Sequence, residues 1–347
     1  MATPQLSPGV LVREVDLTVG RADNVLDNIG AIAGPFSIGP VDYPIDITTE
    51  QELINVFGKP ISTDSQYEYW MSASSFLSYG GVLKVVRTSG TTLNNANAGV
   101  GIAASTLLKI DNYDDYTANH SEGNNFTFAS KNPGSWANNL KVCVIDDLAD
   151  QIIGITTTDL GNLGVAVGYG ITSALNAVSI PETGTTSTFT GYLKGIITGV
   201  TTDATNQNSN ISVKITSRVS SSGTETQINY AEGTNFAAFR NSSLLTFVNN
   251  SGITTGTATA ASISDWYESQ TLGLTNTTIY WRSIAPKPTT NRYSLERNGK
   301  NDAIHVVVVD DLGTITGNQG TILEKHLSLS KALDSVSAVN SPQKIWY

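Results

Sequence analysis

Apolar and polar positions change their period several times along the chain, and each change marks a predicted element. After Pro8-Gly9, the β-branched run Val10 to Leu17 reads as a strand, and a second strand is expected over Ile29 to Ile38, closed by Gly39-Pro40. The period then lengthens to that of a helix. Thr49 and Glu52 form a predicted capping box, in which the Thr hydroxyl accepts from the N3 amide and the Glu carboxylate reaches back to the cap amide. Leu53, Val56 and Phe57 supply the stripe, and Gly58 with Pro60 supplies the stop. A second helix is predicted over Gln66 to Tyr79 from Trp70, Ala73 and Leu77, followed by a buried strand, Val82 to Val86. Strands and helices alternate here as in a layered α/β module.

Further on the pattern is β-like. Leu140 to Ile145 and Gly195 to Val200 are strand-like runs, and Ile211, Val213 and Ile215 alternate with Ser212, Lys214 and Thr216 as in a half-buried strand. The same stretch holds Thr156-Thr157-Thr158, Ser220-Ser221-Ser222-Gly223 and Thr254-Thr255-Gly256-Thr257, so a Ser/Thr/Gly linker is the alternative to an inserted β module. Beyond residue 270, Ile279 to Ser283 reads as a strand, 286 to 297 as a loop, and Ile304 to Val309 as a strand covered on both faces. A helix is expected over Thr321 to Leu333, with Ile322, Leu329 and Leu333 on one side and Thr321/Glu324 as its capping box.

These elements predict a multi-domain α+β protein, a layered α/β core interrupted by β-rich insertion of barrel or sandwich type. The expected divisions are an N-terminal arm (1–22), the first part of a core or middle domain (23–97), an inserted β-rich protrusion (98–190), the β-rich second part of the middle domain (191–275) and the start of a C-terminal α/β core domain (276–347). A length of 347 residues suits two or three domains.

Composition narrows the function. Twenty basic against 30 acidic residues, a net charge of −10, argue against a surface built to track nucleic-acid phosphates. The single cysteine, Cys143, cannot form an intrachain disulfide, and His120, His305 and His326 are too scattered for a spaced zinc site. The N-terminus has no basic stretch leading into an apolar one, and no apolar run approaches the ~18 to 20 residues of a membrane span. A soluble, cytoplasmically made protein is expected. Charged residues are only 14% of the chain, against ~25% in typical soluble domains. Such a surface suits a protein packed against copies of itself or exposed outside a cell.

Candidate chemistry is sparse. Val306 to Val309, Asp310-Asp311 and the glycines Gly313, Gly317 and Gly320 resemble a phosphate loop in outline. The loop lacks the lysine that would reach the β/γ-phosphates, and a turn whose aspartates cap the strand end is the plainer expectation. Asp146-Asp147 and Asp111, Asp114 and Asp115 read as solvated acidic turns, lacking the glycine and terminal Glu of a calcium loop. No nucleophile elbow occurs. Cys143 fits a buried inert thiol, and His305 and His326 fit structural roles, with His326 expected on a helix. No cofactor, metal or catalytic residue is predicted, and a non-enzymatic protein is expected.

Charge is distributed unevenly. Residues 1–150 carry 8 basic and 17 acidic groups, whereas residues 271–347 carry 8 basic and 6 acidic ones. The basic groups gather at Arg282, Lys287, Arg292, Arg297 and Lys300, a loop expected either to pair with an acidic region of a neighbouring copy or simply to be solvated.

Several segments together resemble the tail sheath protein of contractile-tailed bacteriophages, of the large myovirus type. They are Ser7 to Asp16, Gly34-Pro35 to Gly39-Pro40, Asn55-Val56-Phe57-Gly58, Phe76 to Gly81 with Leu83 to Arg87, Asn132-Pro133-Gly134-Ser135-Trp136-Ala137-Asn138-Asn139-Leu140, and Ile304 to Lys331. The likeness covers residues 1–147 and 275–340 and is poor between. It implies a virion structural protein, assembled in the host cytoplasm, that stacks with itself as helical rings, meets tail tube, baseplate and tail terminator proteins, and drives the tube through the host envelope by contraction. Its arm residues would be Val10, Leu11, Val12, Arg13, Glu14 and Val15, adding a strand to a neighbour. No nucleic acid and no membrane span enter this reading. The family's chain continues beyond the point corresponding to Tyr347, so the resemblance implies a shortened chain with an exposed apolar edge near Ile345 and Trp346. Two other readings stand beside it. A β-rich adhesion protein recognising glycans would need aromatics clustered in one cleft, and a nucleotide-dependent enzyme would need phosphate at Asp310 and Gly317.

Overall fold

The computed structural model describes residues 28–90, 92–98, 107–121, 126–174, 178–181, 188–203, 205, 207–227 and 238–337. The chain divides into two compact units, Met1–Asn138 and Asn139–Tyr347. The predicted arm at Val10 to Leu17, and Ile345 and Trp346, lie outside the described residues.

The first unit is a small α/β layer. β1 (Ile29–Gly34) runs parallel to β3 (Val82–Arg87), and β2 (Ile45–Ile47) lies antiparallel on the other side of β3. Two helices, α1 (Glu50–Phe57) and α2 (Gln66–Ser78), contribute Leu53, Phe57, Trp70, Ala73 and Leu77 to a core shared with Phe36, Ile47, Leu83 and Val85. The first helix starts as its sequence demands, with Thr49 Oγ1 accepting from the Glu52 amide at 3.2 Å. The reciprocal half differs, because the Glu52 carboxylate accepts from the amide of Thr48 at 2.9 Å rather than from that of the cap residue. β1 is shorter than predicted, because the chain leaves the sheet at Gly34-Pro35. A two-strand ribbon of β4 (Asn97–Ala98) and β5 (Phe128–Ala129), with α3 (Tyr113–Asp115) running into a π-helical turn at Tyr116–His120, completes the unit as described.

The second unit holds two sheets. Its larger one is a curled half-barrel. The strand order is β14-β13-β8-β10-β11-β7-β15, with β9 added to β10 and β12 to β11. These strands are β7 (Gln151–Thr156), β8 (Gly170–Ser173), β9 (Val178–Pro181), β10 (Thr188–Thr201), β11 (Asn208–Ser220), β12 (Glu225–Gln227), β13 (Leu244–Val248), β14 (Thr254–Thr259) and β15 (Ser262–Asp265), with α4 (Thr157–Leu163) after β7. Ile211, Val213, Ile215 and Val219 point inward on β11, which confirms the alternation and sets the linker alternative aside for these strands. Ile153, Ile155, Ile171, Leu193, Ile197, Leu245 and Phe247 complete that core.

The smaller sheet is antiparallel, β17-β16-β6, with β6 (Leu140–Asp146) and β16 (Ala303–Asp310) in register from Leu140 opposite Asp310 to Asp146 opposite Ile304. Here two predictions fail. The helix expected over Thr321 to Leu333 is instead β17 (Thr321–Ser330), paired with β16 from Asp310↔Thr321 to Ala303↔Ser330. Leu323, Lys325, Leu327 and Leu329 alternate as well as Ile322, Leu329 and Leu333 follow a helical spacing, and hydrogen bonding to a buried neighbouring strand decides between two weak local preferences. Thr321 is accordingly no helix cap, since its hydroxyl donates to Asn318 O at 2.8 Å. The strand expected over Ile279 to Ser283 is a single bridge, Thr271↔Tyr280, followed by a 3-10 turn at Trp281–Ser283 that buries Trp281 beside Trp266, Tyr267 and Val307.

Candidate assembly surface

The five basic residues singled out from the sequence occupy a stretch that threads between surface and interior. Lys287-Pro288 enters the protein, and α5 (Arg292–Leu295) returns the chain to the surface before β16. Asp302 fastens this excursion, accepting from the Asn291 amide at 2.9 Å, from Asn291 Nδ2 at 3.2 Å and from the Ser330 hydroxyl. Burial acts to raise the Asp302 pKa, but the hydrogen bonds from Ser330, Ser294 and Asn291 outweigh it and hold the carboxyl below the usual range.

Four of the five side chains are exposed, and three of those have local partners. Arg282 donates to the Glu268 carboxylate at 2.6 Å and lies 4.6 Å from the centroid of the Tyr280 ring. Arg292 pairs with Glu296 at 2.9 Å across one helical turn, and the Arg297 guanidinium stacks 3.6 Å from the Tyr293 ring centroid. Lys300 is exposed and makes no ion pair among the described residues.

Lys287 departs from the expected exposed basic loop. It is 5% exposed, with Nζ 2.8 Å from Asp147 Oδ1 and 2.5 Å from Asp150 Oδ1. Lys214 reaches the same two carboxylates, 3.0 Å from Asp150 and in close contact with Asp147, so two ammonium groups face two carboxylates. Asp150 Oδ2 also accepts from the Ile215 amide at 2.8 Å. Burial would lower the Lys287 pKa, but the charges of Asp150 and Asp147 prevail and hold it above its ordinary value. The cluster joins the end of β6, strand β11 and the loop before α5. Asp147, expected in a solvated turn, is buried for the same reason. Sequence alone could not place these four residues together, since they stand 3 to 140 positions apart and their pairing depends on the sheet curling.

Neither candidate for chemistry gathers a catalytic arrangement. The Asp310 carboxylate accepts from the amides of Thr314, Ile315 and Thr316 at 3.0, 2.9 and 2.8 Å and from the Thr316 hydroxyl at 3.0 Å. The glycine loop therefore spends its amides on an anion the chain itself provides. Asp311 binds the Thr275 amide at 2.9 Å and its hydroxyl at 2.7 Å, tying the loop between Thr271 and Tyr280 to the end of β16. Cys143 is buried, its thiol directed at Leu272 O at 3.3 Å and pushed up in pKa chiefly by burial. His305 is structural. Its Nε2 donates to Pro286 O at 2.8 Å, and Nδ1 accepts from the Ser328 amide at 2.9 Å, which fixes the tautomer. His326 lies on strand β17, not on the expected helix, beside Glu324 at 3.0 Å. Among the described residues, no group of three potential metal ligands and no helix long and apolar enough to cross a membrane occurs.

In the first unit three of the resemblance segments meet at one side chain. Arg87, 2% exposed at the end of β3, donates to Phe36 O at 2.6 Å, Ser37 O at 2.9 Å, Gly39 O at 2.8 Å and Pro133 O at 2.7 Å. Burial lowers its pKa to about 10, which leaves the guanidinium charged at neutral pH. Gly134, at φ 135°, passes so close that an added Cβ would stand 3.1 Å from Arg87 Nη2 and 2.8 Å from Trp136 Cδ1. The Gly34-Pro35 to Gly39-Pro40 loop, the strand ending in Arg87 and the Asn132-Pro133-Gly134 turn are thus one packed feature.

The chain is 39% identical over 82 residues to the tail sheath protein of Enterobacteria phage T4, a match of 24% of this chain and 12% of that protein. Its relatives are phage tail sheath proteins. The sheath protein of Vibrio phage KVP40 is 36% identical over 94 residues, 26% of this chain and 13% of the relative. That of Salmonella phage ViI is 32% identical over 150 residues, 42% and 22%. The chain therefore spans under a quarter of the length of these curated sheath relatives. No protein-family model matches it. The similarity points to a structural role in a phage tail.

Proposed function

We propose that this chain is part of a sheath subunit that assembles helically with its own copies around a tail tube. Contraction would remake contacts between subunits and drive the tube through the host envelope. The observation that carries the reading is the similarity to three phage tail sheath proteins. In this reading the partners are other sheath copies, the tube protein, and baseplate and tail terminator proteins, and the place of work is the virion tail. The arm residues Val10 to Val15 link neighbouring copies, and Arg282, Arg292, Arg297 and Lys300 meet acidic groups on an adjacent copy.

The interior supports a subunit that moves as firm pieces. A four-charge cluster locks the second unit's two sheets together, and Arg87 locks three segments of the first. Contacts that must be remade belong on the exposed side chains, whose ion pairs are individually weak and reversible in water. The test is sedimentation of the chain extended to the length of its relatives. Salt-sensitive polymers that weaken in an Arg297→Glu, Lys300→Glu variant support the reading, and a monomer under all conditions overturns it.

A further inference from the structure

We infer that a cleft of about 510 Å³ in the first unit binds a saccharide bearing a carboxylate, with Tyr113 and Tyr116 as the stacking surface and Lys131 as the partner of the acid. Its volume falls in the ~300 to 1,000 Å³ range of small-ligand clefts. The proposal is independent of the assembly reading.

The wall carrying the tyrosines is built from local hydrogen bonds. Asn112 Oδ1 caps α3 through the Asp115 amide at 3.0 Å, and its Nδ2 donates to Val41 O at 3.1 Å. Asp115 in turn accepts from the Asp111 amide at 2.9 Å. Three residues apart on this turn, Tyr113 and Tyr116 present their rings side by side, centroids 6.4 Å apart and planes 32° from parallel. The opposite wall is β5, held on β4 by the Thr127 amide to Ala98 O and the Ser130 amide to Ala96 O, both 2.8 Å, and it contributes Phe128 beside Phe126.

Two features select the ligand. Tyr113 is 71% exposed and Tyr116 38%, so neither ring serves a core. The Tyr113, Tyr116 and Thr127 hydroxyls and the Lys131 ammonium, all on the cleft lining, make no hydrogen bond or ion pair among the described residues. Aromatic faces beside unspent hydroxyls suit a molecule with a C–H face and a hydroxyl rim, which a pyranose has and a purely apolar ligand lacks. Among the described residues Lys131 is the single cation on the lining, and the nearby Lys109 is committed to Asp111 at 3.2 Å. One positive charge suits one carboxylate and is too little for a polyphosphate. The clustered aromatics that glycan recognition demands therefore occur in the first unit.

The experiment is calorimetric titration of the purified chain with glucuronic, galacturonic and mannuronic acid oligosaccharides, each beside its neutral hexose counterpart. At least one acidic probe should bind more tightly than its neutral counterpart. Tyr113→Ala should weaken it at least tenfold without altering the melting temperature, and Lys131→Gln should remove the acidic preference. Absence of binding across the panel overturns the proposal, as does binding that survives Tyr113→Ala. So does a Tyr113→Ala variant whose only defect is in polymerisation, which would make the cleft a contact between copies.

Discussion

Lys287 Nζ stands 2.5 Å from Asp150 Oδ1, although the two residues are 137 positions apart. The contact is buried on both sides, and Lys214 and Asp147 complete a neutral set of four. An ion pair so placed adds little net stability over a well-packed apolar pair, yet breaking it is costly, because a buried charge is left with too little compensation.

Lys287→Met should therefore lower unfolding free energy by about 3 to 5 kcal/mol. The Lys287 pKa is raised on folding, so its contribution is complete below the unfolded value, near 10.5, and is lost as pH climbs through the higher folded one. Urea titrations at pH 7 and in alkali measure both. A variant as stable as the parent would return Lys287 to the surface.

Asp310→Asn should cost about 1 to 3 kcal/mol at neutral pH, since the amide NH₂ would replace either the oxygen that accepts from Thr314 or the one that accepts from Ile315 and Thr316, and so face a backbone donor in both orientations. Burial alone would raise the Asp310 pKa, but Thr316, Ile315 and Thr314 bring it below its ordinary value, and Thr275 does the same for Asp311. Their contributions are present above the unfolded value, near 3.8, and fade as pH falls through the lower folded ones. Acid titration of parent and variant should show a shallower loss in the variant.

Arg87→Lys should destabilise the first unit by about 2 to 4 kcal/mol, because one ammonium cannot reach four carbonyls that the planar guanidinium spans. Local hydrogen exchange at Ser37 and Pro133's neighbours would register the opening, and unchanged protection would contradict the assigned role.

Gly134→Ala should destabilise far more than Gly80→Ala. Both glycines have positive φ, 135° and 73°, but a Cβ at 134 meets Trp136, Arg87 and Ser37 whereas one at 80 meets nothing within 4 Å. The second substitution should cost only about 1 kcal/mol from backbone preference. Thermal melts of the two variants make the comparison.

Much of this fold is legible wherever one period dominates locally. Trp70, Ala73 and Leu77 announce α2, and Ile211, Val213 and Ile215 announce β11. Legibility fails where partners are distant. Thr321 to Ser330 carries both periods, and only its neighbour β16 makes it a strand. Lys287 looks like one more basic surface residue until the larger sheet brings Asp150 and Lys214 to it. Arg87 is named by the resemblance, but its four carbonyls come from loops whose courses no spacing encodes. The tyrosine cleft is equally hidden, since Tyr113 sits in a stretch that reads as an acidic turn.

Electron microscopy of the chain extended to the length of its relatives, at raised protein concentration beside the 347-residue form, tests the central claim most directly. Helical tubes of stacked rings from the extended chain are the predicted result. Extended chains that stay dispersed under every salt condition, with tail tube protein supplied, would contradict it.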